Sequence, residues 1–161
     1  MGWFSSDAEL LTDGAIYSKM RELISSAQES LIIVSPYVGP TGDFLRQVIA
    51  AAKRGVQVLV LFRREKLPEY RNSEWLNQML AAGVTLATID RLHSKIYSTE
   101  SGTLVTSMNF TSTSGENSFE VGVYFESDHA LTEKVDRYFE ELDSHTELVT
   151  PGASAVSFHK G

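Results

Sequence analysis

Residues 31–63 read "LIIVSPYVGPTGDFLRQVIAAAKRGVQVLVLFR". Two short apolar, β-branched runs, 31–38 and 56–63, flank a stretch with helical periodicity. The first run meets Pro36, which cannot donate to a ladder, so it reads as a buried strand opening into a loop. The middle stretch has Thr41 or Asp43 to cap its start and Gly55 to close it. Strand, helix, strand at this spacing predicts a parallel crossover unit, and with it an α/β fold.

The same rhythm extends both ways. Upstream, "GAIYSKMRELISSAQES" carries Ile16, Met20, Leu23, Ile24 and Ala27 at helical spacing, with Asp13 available as N-cap. Downstream, the polar loop "REKLPEYRN" leads to the helix "SEWLNQMLAAG" and a third strand, "VTLATID". The second half changes character. "HSKIYST" (93–99) and "TLVTSMNF" (103–110) flank the turn "ESG", and "FEVGVYFE" (119–126) follows the polar loop "TSTSGENS". Those are strands joined hairpin-fashion. A last helix is expected over 128–143, capped by Ser127 or Asp128, with Leu131, Val135, Phe139 and Leu142 on one face. The expectation is one domain over 1–145, an α/β/α sandwich around a central mixed, largely parallel sheet, followed by a C-terminal tail over 146–161.

Composition narrows the function classes. The chain has 161 residues, 42% hydrophobic and 22% charged, ordinary for a globular domain. It has no cysteine, which removes disulfides, thiolate zinc sites and a cysteine nucleophile. Its apolar runs are far shorter than a membrane span, and its first residues lack the basic and apolar regions of a signal peptide. The expectation is a cytoplasmic protein with no stable membrane insertion. The net charge of −7 is unevenly spread. Segment 53–95 holds eight bases against four acids, whereas 128–143 holds six acids against two bases. A locally basic field permits an anionic partner, although solvated surface lysines and arginines would give the same asymmetry.

The residues that carry chemistry lie in the hairpin. Side chains two apart on a strand point the same way, so His93 and Lys95 share a face, as do Ser107 and Asn109. With "ESG" as a three-residue turn, Thr99 pairs with Thr103, His93 lies opposite Asn109, and Lys95 opposite Ser107. Such a patch suits a phosphodiester. Lys95 would supply a point charge for a non-bridging oxygen, with Ser107 and Asn109 donating to the same oxygens. His93 carries an imidazole, which can act as nucleophile or general acid. Glu120 is the nearest carboxylate in sequence to fix its tautomer. A hairpin whose polar face merely meets solvent would leave the same spacing.

"HSKIY" followed by "TSMNFT" and "GENSFEVGVYF" resembles the His-x-Lys signature of the phospholipase D superfamily, with its Gly-Ser-x-Asn segment and downstream Glu. "LIIVSPYV" is similar to that family's first strand, and the order of elements agrees over roughly residues 10–145. The resemblance implies catalysis without metal or cofactor. One histidine acts as nucleophile, giving a phosphohistidine, and a second acts as acid and then base. Carried onto this chain, His93 is nucleophile or acid, Lys95, Ser107 and Asn109 are phosphate ligands, and Glu120 orients His93. Two positions depart from the signature: Glu100 stands where it has Asp, and Thr106 where it has Gly. His129, His145 and His159 lack the motif, so one chain supplies one of the two histidines needed. The resemblance therefore implies a two-fold homodimer with a shared site, as in small nucleases of the superfamily. The function expected is an endonuclease acting on DNA or RNA. Two alternatives stand beside it: a catalytically weak nucleic-acid or phosphate-binding module, and a phospholipid hydrolase or transphosphatidylase.

Overall fold

In a computed structural model, residues 7–40, 42–111 and 118–151 are described. The crossover unit is present as expected. Strand β2 (Ser30–Val34) leads through helix α2 (Gly42–Lys53) to β4 (Gln57–Arg63), and β4 through α4 (Glu74–Ala81) to β5 (Thr85–Ile89). These three strands are parallel and adjacent. The segment expected to be a loop after β4 instead makes a 3-10 turn (Arg64–Lys66) and a one-turn helix, α3 (Leu67–Tyr70).

The sheet is mixed, but most of its pairings are antiparallel. Its eight strands run in the order β1-β9-β7-β6-β2-β4-β5-β10. Only β2–β4 and β4–β5 are parallel, because β6 (Ile96–Thr99), β7 (Gly102–Thr106) and β9 (Val121–Glu126) follow one another antiparallel. The two edges were not expected. β1 (Glu9–Thr12) pairs with β9, and β10 (Glu147–Leu148) pairs with β5. Residues 147–149, placed in the tail from sequence, thus belong to the sheet, and Val149 donates to Leu86 at 2.8 Å. Residues 152–161 lie outside the described residues. A separate parallel pair, β3 (Val38–Gly39) with β8 (Phe110–Thr111), ties the loop after β2 to the loop after β7.

Helices α1 (Gly14–Ser26), α2, α3 and α4 cover one face of the sheet over the larger core. On the other face lies α5 (Leu131–Asp143), packing Val135, Tyr138, Phe139 and Leu142 on Val34, Leu61 and Ile96. That helix starts later than the sequence indicates. Its N-cap position is Ala130 rather than Ser127 or Asp128, and His129 Nδ1 accepts the N–H of Leu131 at 3.0 Å.

Register is the main correction. β6 and β7 pair as Ile96↔Val105, Tyr97↔Leu104 and Ser98↔Thr103, one residue away from the pairing a three-residue turn would impose. Two features hold this turn. The Glu100 carboxylate accepts backbone N–H groups from Gln28 and Ser30, fastening the hairpin to the α1–β2 connection. Gly102 is pressed against β9, where an added Cβ would lie 2.4 Å from Tyr124 Oη and 2.8 Å from the Phe125 carbonyl. Gly102→Ala therefore has to move backbone, and a loss of about 1–3 kcal/mol is expected in urea unfolding.

Glu100 gives the fold a pH dependence. Partial burial raises its pKa, but the backbone donors of Gln28, Glu100 itself, Ser30 and Glu29 outweigh it and hold the carboxyl below the usual range. A depressed folded pKa means its stabilisation is present above the ordinary carboxylate value and is lost as pH falls through the folded value. Glu100→Gln should cost about 1 kcal/mol or less at pH 7, since the group is partly solvated. The gap between variant and parent should close in unfolding curves taken at progressively lower pH.

Candidate active site

One end of the sheet gathers the chemistry. The C-terminal ends of β2, β4, β5, β7 and β1 lie beside the N-terminal ends of β6 and β9. Residues 90–95 carry the chain from β5 past the ends of β4 and β2 to β6. Along this crossing Leu92 is buried in the core under α5, and Ser94 Oγ lies 2.9 Å from Tyr138 Oη of that helix. The alternate residues take a different course. His93 is exposed, Lys95 is half-buried, and Lys95 Nζ donates to the His93 carbonyl at 3.0 Å.

The opposite wall is built by a break in β7. Thr106 N–H donates to the Lys95 carbonyl at 3.1 Å, and there the β6–β7 ladder ends. Ser107 then turns to β9, its N–H donating to the Val121 carbonyl at 2.9 Å. Its hydroxyl donates to Glu120 Oε2, while Val121 N–H donates back to Ser107 Oγ at 3.1 Å. Strand parity stops applying past residue 106, so the corrected register does not by itself send Ser107 and Asn109 to the wrong face.

Beneath this loop lies a clamp with no motif to announce it. Ser35, fully buried at the end of β2, accepts the Phe110 N–H at 2.9 Å and donates to the Tyr37 carbonyl at 2.7 Å. The same hydroxyl stands 3.5 Å from Asn109 Oδ1. The buried Tyr97 phenol donates to the Met108 carbonyl at 2.8 Å. Burial pushes that phenol's pKa far up, the Ser35 hydrogen bond opposes this, and the Glu120 charge adds to it, so Tyr97 stays a donor. Phe110 packs between the rings of Phe44 and Tyr97, at centroid distances of 5.5 and 6.1 Å. The Ser107–Asn109 loop is therefore held from below on both sides.

Glu120 is fixed through its backbone and its carboxylate. Asp13 does not cap α1 with its side chain; it sits at φ 48°, donates its N–H to the Glu120 carbonyl at 3.0 Å, and accepts the Glu120 N–H at 2.8 Å. The Glu120 carboxylate accepts from Ser107 and, at 2.8 Å, from Ser118. Among the described residues it is not hydrogen-bonded to His93. The structure thus joins Lys95 with His93, Ser107 with Glu120, and Asn109 with Ser35, as three neighbouring pairs at one sheet end.

Thr106 is tied to its own neighbours. Its hydroxyl donates to the Val121 carbonyl at 2.8 Å and accepts the Met108 N–H at 3.2 Å. Room for it comes from across the ladder: Thr106 is paired with Gly122, where a Cβ would lie 3.0 Å from the Thr106 Cβ. Gly122 thus leaves the Thr106 side chain the room that a larger residue on β9 would take.

Three of the eight bases of segment 53–95 are paired with acids. Arg63 pairs with Glu65, Arg64 with Asp90 and Glu147, and Lys66 with Glu69. Arg54 donates to the carbonyls of Ile24, Ser25 and Ala27, a structural use.

Residues 20–143 match the family model described as "Cardiolipin synthase, PLD-like domain". The chain is 28% identical over 145 residues to the probable cardiolipin synthase YwiE of Bacillus subtilis, covering 86% of this chain and 28% of that protein. It is 33% identical over 85 residues to cardiolipin synthase A of Erwinia tasmaniensis, covering 50% of this chain and 18% of that protein. The chain thus spans under a third of the length of these relatives. Among solved structures, the phospholipase D family member Nuc from Salmonella typhimurium superposes with a TM-score of 0.71 at 18% identity, over 89% of this chain and 99% of Nuc. The phosphatidylserine synthase of Haemophilus influenzae superposes with a TM-score of 0.72 at 12% identity, over 88% of this chain and 40% of that one. These likenesses establish a shared fold.

Proposed function

Because the chain belongs to the cardiolipin synthase, phospholipase D-like domain family, we propose that it is a metal-independent phosphodiesterase whose active site is shared by two copies and that its substrate is nucleic acid. What supports the phosphodiesterase reading is that His93, which is exposed, and Lys95, Ser107, Asn109 and Glu120 all lie at the same end of the sheet. An imidazole nitrogen of His93 attacks phosphorus, and the bond to the leaving oxygen breaks. A second copy's His93 gives that oxygen a proton, then takes one from a water whose oxygen attacks the phosphorus, and the P–N bond breaks with its electron pair returning to the first imidazole. Lys95 and Asn109 hold the non-bridging oxygens. Glu120 acts on the site through Ser107, which it holds, and reaches an imidazole only when substrate rearranges the pair.

A second reading, phosphatidyl transfer on phospholipids, is favoured by the names of the sequence relatives and by the internal pairing of the basic segment. One assay separates the two. Protein dialysed against EDTA is given single- and double-stranded DNA, RNA, a chromogenic diester and phosphatidylglycerol vesicles. Cleavage of nucleic acid that survives EDTA is the expected result. Turnover restored only by added magnesium or zinc would replace the histidine mechanism by metal-assisted hydrolysis. Turnover of the vesicles alone would select the second reading.

A further inference from the structure

Asp13 stands between β1 and α1, and its backbone cannot serve both elements. β1 and β9 pair antiparallel as far as Thr12↔Val121, so the next pair along the ladder is Asp13 with Glu120. Asp13 supplies half of that pair, its N–H donating to the Glu120 carbonyl at 3.0 Å. Its own carbonyl has turned into the helix, where it accepts the Ile16 N–H at 3.0 Å. The Glu120 N–H thereby loses the acceptor that a continued ladder would offer. The Asp13 carboxylate takes the carbonyl's place and accepts that N–H at 2.8 Å.

The backbone that makes this possible is strained. Asp13 sits at φ 48° and ψ −120°, a combination that glycine adopts freely and a residue with a Cβ does not. Were residue 13 needed only to turn the chain, glycine would be the favoured choice. Strain of this kind persists where the side chain has a task. That task is not helix capping, the usual one for an aspartate at this position, because the carboxylate makes no cap hydrogen bond to α1. What it holds is Glu120.

Glu120 in turn holds Ser107. Its carboxylate accepts from the Ser107 hydroxyl, and that hydroxyl accepts the N–H of Val121, the first residue of β9, at 3.1 Å. A displacement of the Glu120 backbone is therefore passed on to Ser107. Ser35 and Tyr97 fasten the Ser107–Asn109 loop from below, and Asp13 fastens it, through Glu120, from the β9 side.

We propose that Asp13 is a positioning residue: its carboxylate fixes the Glu120 backbone and, through Glu120, sets Ser107 beside the substrate phosphate. The inference rests on the phosphodiesterase reading above and adds to it a residue that does not touch substrate. Two substitutions separate this role from a structural one. Asp13→Gly relieves the backbone and removes the carboxylate, whereas Asp13→Asn tolerates positive φ and keeps an oxygen for the Glu120 N–H. With bis(p-nitrophenyl) phosphate as the probe, Asp13→Gly should lower kcat by roughly ten- to a hundredfold and leave KM within about twofold, the loss expected of a small misplacement. Asp13→Asn should recover most of that loss, and circular dichroism should show both variants folded. In a Glu120→Ala background, Asp13→Gly should lower kcat no further, because its route to the site is gone.

An unchanged kcat in Asp13→Gly overturns the assignment. So does an equal further loss in the Glu120→Ala background, which would mean that Asp13 acts by another route. A fall in unfolding midpoint that runs parallel to the fall in kcat, and that Asp13→Asn does not repair, makes residue 13 structural only. In each of these cases the parent still turns over the diester, and the phosphodiesterase reading stands. A parent inactive on the diester overturns that reading, and this inference with it.

Discussion

His93→Ala is expected to lower diester turnover by several orders of magnitude, on the order of the 10⁴–10⁶ lost when a covalent nucleophile is removed. No other described side chain at the sheet end can replace it: Lys95 is engaged as a cation with a carbonyl, and Ser107 is committed to Glu120. Substrate affinity should change little, since a neutral imidazole contributes less to holding a phosphate than an ammonium does. If two copies share the site, as proposed, mixtures carry a further consequence. A dimer with one intact and one altered chain owns a single histidine and should be inactive. After subunit exchange at equal concentrations, activity per intact chain should fall to about half, because only half of those chains remain paired with one another. Unchanged activity per intact chain would mean each copy works alone. Normal turnover by His93→Ala would make the patch a binding surface.

The parts of this molecule legible in sequence are those encoded locally. β2, α2, β4, α4 and β5 announce themselves through runs and periods that need no distant partner, and the family resemblance follows from four polar residues in one hairpin. What was not legible depends on partners far along the chain. β1 and β10 are four and two residues long and exist only because β9 and β5 offer free edges. Asp13 looks like a helix cap, yet its partner is Glu120, 107 residues away. The basic character of 53–95 is cancelled partly by Glu147, brought to Arg64 by that same short edge strand.

The hairpin register shows the limit most clearly. The sequence favours a symmetric three-residue turn, but Glu100 is drawn toward the amides of Gln28 and Ser30, and Gly102 is pressed against β9. Tertiary contacts set the turn, and the pairing shifts by one residue. The site survives the shift because β7 breaks at Ser107 and the loop beyond it is placed by Ser35 and Tyr97. Both could have drawn notice in the sequence, Ser35 as a polar residue ending a buried strand and Tyr97 as an aromatic in phase with His93 and Lys95. Neither carries a motif.

Lys95→Ala should act on binding and turnover together, which separates its role from that of His93. In the resting structure Lys95 Nζ is half-buried and rests on the His93 carbonyl at 3.0 Å, a neutral acceptor. A phosphodiester offers a full negative charge in its place, so the ammonium has a reason to move onto substrate. As the pentavalent state forms, charge grows on the same oxygens, and the ammonium gains more there than in the ground state. The expected loss is about 10²–10³-fold in kcat, with KM raised as well. Lys95→Arg should recover binding better than turnover, because a planar fork restores the charge without the compact geometry that a single oxygen requires. The comparison should be made over a salt series. Three of the eight bases of the 53–95 segment, Arg63, Arg64 and Lys66, are held by acids on the chain, whereas Lys95 rests on a neutral carbonyl at the sheet end. Its removal should flatten the salt dependence of nucleic-acid binding by about one counterion. A salt slope unchanged in Lys95→Ala, alongside unchanged KM, would show that the ammonium never leaves the His93 carbonyl.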